Sequence, residues 1–141
     1  VLHLLDLFFV VFHTALTLFN LFGWVYWRTR VANLITLGLT AGSWVGLGFF
    51  YGFGYCPLTD WHWQVLYRLG ERDLPRSYIT YLIQRLLGVD AAPEAVHALT
   101  VAGLCLALAM SLLLNGREWR RRRRARRRGH VGGATTASHR A

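Results

Sequence analysis

The chain has 141 residues, of which 54% are apolar, and a formal net charge of +9. Its charge is too unevenly placed for a water-soluble domain. Residues 1–27 hold one acid, Asp6, and no basic residue, whereas a soluble helix of that length needs a charged face toward water. All 16 basic residues are Arg and most of them follow Arg117, so the net charge describes a tail and not a surface.

Three segments reach the roughly 20 apolar residues that an α-helix needs to cross a bilayer. They are residues 2–27, 31–53 and 96–114. Trp24, Tyr26 and Trp27 close the first, Tyr51 and Tyr55 the second, and Trp119 follows the third, as interfacial aromatic belts do. A secretory signal does not fit the first segment, which lacks a basic start and a small-residue cleavage site and is too long. The chain opens on Val rather than Met, which leaves open what precedes it.

In the first span His3, Asp6, Val10, His13, Thr17, Asn20, Trp24 and Trp27 recur three or four residues apart, which aligns them on one helix face. Ionisable groups cost several kcal/mol at membrane depth, so this stripe is expected to face protein, water or a ligand. Interhelical hydrogen bonding is the plainer reading. A proton path, or a ligand for metal, haem or pigment centred on His13, is the functional one. In the second span Gly38, Gly42 and Gly46 repeat every four residues, a spacing that lets two helix backbones approach. Span one or span three is the expected occupant of this groove, and a lipid, a carotenoid or a neighbouring subunit is the alternative.

The connection over residues 54–95 is patterned. Thr59 and Asp60 are candidate N-caps for a short helix with Trp61, Val65, Leu66 and Leu69 on one face and Gly70 as its stop. A second helix starts near Pro75, places Ile79, Leu82, Ile83, Leu86 and Leu87 on one face and Arg76, Thr80, Gln84 and Arg85 on the other, and ends at Gly88. Both are expected to lie in the membrane interface, apolar side down. Asp90 and Pro93 then start span three. The fold expected is thus an all-α integral membrane protein, with a three-helix domain over residues 1–116 and an Arg-rich tail over residues 117–141.

Several residues carry a resemblance. Phe19-Asn20-Leu21-Phe22-Gly23-Trp24, the run Tyr51-Gly52-Phe53-Gly54-Tyr55-Cys56-Pro57-Leu58-Thr59-Asp60-Trp61-His62-Trp63 and Ser77-Tyr78-Ile79 resemble the bacterial membrane proteins grouped as DUF2784, the Cys-Pro-Leu-Thr core being the most specific part. The resemblance stops short of the tail. It implies a small multi-span membrane protein and brings no biochemical activity with it.

Cys56, Asp60 and His62 are a thin set of metal ligands, because zinc sites commonly bring four, often as paired Cys or His. Pro57 breaking the span, Asp60 capping the helix, and Trp61 and Trp63 anchoring it at headgroup level explain the motif without a metal. Cys56 and Cys105 are expected to be free thiols. The turn after span one carries Arg28 and Arg30 without an acid, the tail carries Arg120, Arg121, Arg122, Arg123, Arg124, Arg126, Arg127 and Arg128, and the long connection has no Arg excess. Basic segments stay cytoplasmic, so the N-terminus is expected outside and the C-terminus inside the cytoplasmic membrane of a bacterium. The tail suits anionic lipid headgroups. Nucleic acid is disfavoured because no aromatic residue follows Trp119 to stack on bases. Residues 129–141 read as disordered by composition.

No spacing encodes a reaction. The functional expectation is a non-catalytic accessory subunit of a larger membrane complex, photosynthetic or respiratory, with no cofactor of its own and with pigment, quinone or lipid as neighbours. The alternative is a small membrane enzyme or cofactor carrier using the His/Asp stripe.

Overall fold

A computed structural model describes the backbone of residues 1–138 and the side chains of residues 1–126. The described residues form helices joined by short connections, without strands. The first span is α1 (Leu2–Phe22). The second is α2 (Arg30–Gly42), a π-helical turn (Ser43–Leu47) and α3 (Gly48–Tyr51) in unbroken succession. Then come α4 (Pro57–Arg68), α5 (Tyr78–Leu87) and the long α6 (Pro93–Ser138). Three stretches, Leu2–Phe22, Arg30–Tyr51 and Pro93–Arg126, are long and apolar enough to cross a membrane. The chain is a membrane protein.

The first span ends earlier than its hydropathy suggests. α1 stops at Phe22, and Trp24 and Trp27 belong to a run of turns. Polar groups bind this run together: Thr29 Oγ1 donates to the Gly23 carbonyl at 2.7 Å, Arg30 Nε to the Trp24 carbonyl at 3.1 Å, and Trp24 Nε1 to the Leu21 carbonyl at 2.7 Å. Asn33, fully buried, donates from Nδ2 to the carbonyl of Phe19 at 2.7 Å and lies near that of Asn20 at 3.3 Å. It thereby ties α2 to the carbonyls in the last turn of α1, that of Phe19 also accepting the Gly23 N–H at 2.7 Å.

Span two does not use its glycine stripe inside the chain. Gly38, Gly42 and Gly46 are exposed, and a Cβ on any of them would meet nothing within 4 Å. The expectation that span one or span three fills this groove is therefore corrected: α2 meets α6 along another face, the one that buries Asn33 and Leu37. Close approach happens at Gly23, where a Cβ would lie 2.5 Å from the Phe19 carbonyl oxygen and 2.9 Å from Asn33 Nδ2. Gly23→Ala is accordingly expected to cost about 1–3 kcal/mol, the usual range for overpacking, while Gly42→Ala stays within about 0.5 kcal/mol of wild type or gains slightly. Thermal unfolding of both variants in mild detergent checks this.

The connecting helices also differ from their sequence reading. α4 starts at Pro57 with Cys56 as its N-cap residue, and Asp60 sits in the first turn, where it accepts a bond from Gln64. Thr59 and Asp60 are thus not caps. The buried residues of α4 are His62 and Leu66, with Trp61 turned outward. α5 starts at Tyr78, buries Tyr78, Thr80, Tyr81 and Leu82, and leaves Leu86 and Leu87 exposed, so Thr80 is not on an outer polar face. Gly88 ends it in the left-handed conformation (φ 65°), as expected of a C-terminal glycine. α4 packs along α1 and α5 packs beside α4 and α6, with Val10, Leu66, Tyr78, Tyr81 and Leu82 as their shared core.

α6 begins with Pro93 at its first turn and continues far past the span. Residues 129–138, disordered by composition, extend this helix, which the Arg run before them favours because Arg is a good helix former. Residues 139–141, and the side chains of Arg127 and Arg128, lie outside the described part.

Candidate functional site

The polar stripe of α1 turns inward. Asp6, Val10, His13 and Asn20 are buried, Thr17 is partly covered, and His3 is exposed at the start of the helix. What covers Asp6 and His13 is not another span but α4 and α5.

Asp6 anchors the upper part of this arrangement. Its Oδ1 accepts from His62 Nε2 at 3.0 Å and its Oδ2 from Arg85 Nη2 at 2.9 Å. With the Nε2 proton committed to the carboxylate, His62 Nδ1 is the acceptor for the Tyr78 hydroxyl at 2.6 Å. Phe9 stacks on the His62 ring, and Tyr81 meets it edge-on. Burial pushes the His62 pKa below the ordinary value of 6.5; the bond to Asp6 opposes this, and the nearby Arg85 charge adds to it. His62 is therefore neutral at pH 7. Burial, then the neighbouring Tyr81, raises the Tyr78 phenol above its usual range, so it stays a donor.

His13 anchors the lower part. Its Nε2 lies 3.9 Å from Cys56 Sγ and 3.5 Å from Thr59 Oγ1, and its ring packs on that of Tyr78 with centroids 3.9 Å apart. Further along, Asn20 Nδ2 donates to Thr40 Oγ1 at 3.0 Å. The external motif is thus divided: Cys56 serves His13, His62 serves Asp6, Asp60 binds Gln64, Trp63 packs on Tyr78 and Tyr81, and Trp61 faces outward. Among the described residues no three His, Cys, Asp or Glu side chains converge on a metal-sized site.

Below α4 and α5 the spans part around a cavity of about 680 Å³, with His13, Cys56, Thr59, Arg76, Glu94 and His97 in its polar lining. A second cavity of about 280 Å³ is walled by Leu21, Leu37, Ile83, Leu99, Leu104 and other apolar side chains. Thr17, Asn20, Thr40, Trp44, Ile79 and Thr100 line both, so the two adjoin. Trp44 belongs to the π-helical turn, whose first residue, Ser43, donates to the Tyr55 carbonyl at 2.9 Å. Such turns change which face of a helix carries a side chain, and they recur at functional sites. Three residues of the cavity lining carry buried atoms without a hydrogen-bond partner: His13 Nδ1, Asn20 Oδ1 and Thr80 Oγ1.

The family described as Protein of Unknown function (DUF2784) matches residues 3–116. The chain belongs to the DUF2784 family. No curated protein and no solved structure matches it significantly. The matched region ends just before the Arg run, so the inward stripe, the α4–α5 cover and the cavity all lie within the DUF2784 part of the chain.

Sequence reasoning missed Asn33, Tyr78, Tyr81 and the inward role of Arg85. Asn33 had a legible signal, an amide inside an apolar span with a cost of burial to offset. Arg85 had none, since its acid is 79 positions away.

Proposed function

We propose that this chain is a non-catalytic membrane protein that holds a lipid-like molecule, one small polar head on a hydrocarbon chain, between its spans and beneath α4 and α5. The observation that carries this reading is the polar-lined cavity of about 680 Å³, with His13, Thr59, Arg76, Glu94 and His97 on its walls, adjoining an apolar-walled cavity of about 280 Å³. The larger volume falls in the usual range for small-molecule sites, about 300–1,000 Å³. Its polar lining suits a carbonyl, hydroxyl or quinone head, and the adjoining apolar walls suit a tail.

The test is mass spectrometry of the organic extract from chain purified in mild detergent, with an absorption spectrum of the same sample. One lipid or quinone per chain is expected, and the double variant His13→Leu, Asn20→Leu loses it. An extract holding only bulk membrane lipid in bulk proportions would mean that water fills the cavity, and the reading fails.

A second reading, an accessory subunit of a larger membrane complex, is favoured by the open face at Gly38, Gly42 and Gly46. A quinone would suit both readings in a respiratory or photosynthetic assembly. The stripe of α1 lends this reading less support than its sequence suggests, because α4 and α5 already cover Asp6 and His13. The orientation proposed is N-terminus outside and C-terminus in the cytoplasm of a bacterial cell, supported by the placement of Arg, with the tail on anionic headgroups.

A further inference from the structure

Cys56 and His13 bring together, across 43 positions of chain, a thiol and an imidazole 3.9 Å apart. Both line the larger cavity. His13 is only 6% exposed, and its Nδ1 has no partner. Cys56 is the N-cap residue of the 12-residue α4. The next residue, Pro57, has no N–H, and the N–H groups of Leu58 and Thr59 find no backbone carbonyl, as first-turn donors do not. One end of the cavity therefore holds a nucleophile and a base within reach of its proton, beside the first turn of α4 with its two unpaired backbone donors, while the adjoining walls are apolar. Cys105, exposed on α6, has no such surroundings.

The geometry points to Cys56 as an acyl-accepting nucleophile, which takes a long-chain acyl group from an ester or thioester whose hydrocarbon lies along Leu37, Ile83 and Leu104. The inference rests on the cavity holding a lipid-like molecule. His13 Nε2 takes the thiol proton as sulfur bonds to the acyl carbonyl carbon. Negative charge gathers on the carbonyl oxygen, for which the free first-turn N–H groups of α4 are donors. The bond from the carbonyl carbon to the leaving oxygen or sulfur then breaks, and that atom receives the proton from His13. The products are a thioester on Cys56 and a free alcohol or thiol, with no oxidant or reductant consumed. The acyl chain remains in the cavity, so the step is one of attachment rather than turnover.

The probe is palmitoyl-coenzyme A added to the full chain in mild detergent, followed by intact mass spectrometry and peptide mapping. One palmitoyl group on Cys56, released by neutral hydroxylamine and absent from Cys105, is the expected result. Cys56→Ala abolishes it, and His13→Gln slows it by roughly a hundredfold, the scale of a lost general base. Helical circular dichroism confirms that each variant is folded. The iodoacetamide reaction rate at Cys56, with Cys105 as internal reference, reads the same base without an acyl donor. Equal labelling of the two cysteines, or an unchanged rate in His13→Gln, overturns the inference. The extract of Cys56→Ser separates the two readings. If it retains a lipid while wild type takes no adduct, acyl transfer falls and the cavity reading stands; if it retains none and wild type takes none, both fall.

Discussion

Replacing Asp6 by Ala is expected to destabilise the protein by about 1–3 kcal/mol, the cost of leaving the buried Nε2–H of neutral His62 without an acceptor. Asp6 is 6% exposed and, among the described residues, is the only carboxylate that His62 and Arg85 contact. Without it the fully buried His62 keeps an Nε2–H that nothing accepts, and Arg85 loses its contact with α1. Arg85→Gln should cost less, because its side chain is half in solvent and exposed charges contribute little. Asp6→Asn should fall between, since an amide oxygen still accepts from His62 while its NH₂ opposes Arg85. Unfolding curves in mild detergent give the ranking, and hydrogen exchange should place the damage in α4 and α5. A loss below about 1 kcal/mol for Asp6→Ala would mean that the shared core alone docks these helices.

The same contact makes docking sensitive to acid. The folded pKa of His62 lies below its ordinary 6.5, so in the window beneath 6.5 the undocked chain binds a proton that the docked chain refuses. The stability that His62 contributes is therefore complete above that value and declines as pH falls. Asp6→Asn removes the group that holds the His62 pKa up, so the decline should extend to lower pH in that variant.

The spans were legible because hydropathy reports on the bilayer directly: three apolar runs, Pro93 opening α6 and Gly88 closing α5 stand where the sequence puts them, except that α1 stops at Phe22, short of the end of its apolar run. The inward stripe of α1 was legible for the same reason, since Asp6 and His13 have no place against lipid. The packing side of the connecting helices was not. Their apolar sides, with Trp61 on α4 and Leu86 and Leu87 on α5, read as facing the membrane interface, and these residues are exposed on the protein. What the period did not give is the opposite side, where His62, Tyr78, Thr80 and Tyr81 carry the contacts with the rest of the chain. The glycine stripe failed for a related reason. Small residues at four-residue spacing permit close approach, but only a partner helix on that side turns the permission into a contact, and α6 lies on another face. Cys56 with His13 and Arg85 with Asp6 are pairs of distant sequence position, which no local period encodes.

Neutralising Arg28 and Arg30 together with the Arg run of α6 is expected to convert one membrane orientation into a mixture. Asn115 Nδ2 donates to the Arg30 carbonyl at 3.2 Å, so the turn after α1 and the start of the Arg run meet at one end of the bundle. The apolar-to-basic stretch Pro93–Arg126 is 34 residues long; roughly 20 suffice to cross the hydrocarbon core, so the run emerges into headgroups and water. Trp119 marks that level, with the Arg123 guanidinium 3.6 Å from its ring centroid. Basic segments near span ends are held on the cytoplasmic side, and both groups here act in the same direction. Changing Arg28 and Arg30 alone to Ser should leave a C-terminal fluorescent reporter cytoplasmic, because the tail still decides. Changing Arg117, Arg120 to Arg124 and Arg126 to Arg128 to Ser as well should expose a C-terminal alkaline phosphatase in a substantial share of molecules, since the connection between Tyr51 and Pro93 carries no Arg excess to replace them. Alkaline phosphatase activity at the C-terminus of the unaltered chain would reverse the proposed orientation. An unchanged cytoplasmic reporter in the fully neutralised variant would show that α4 and α5, translocated as a folded unit, set the orientation instead of the arginines.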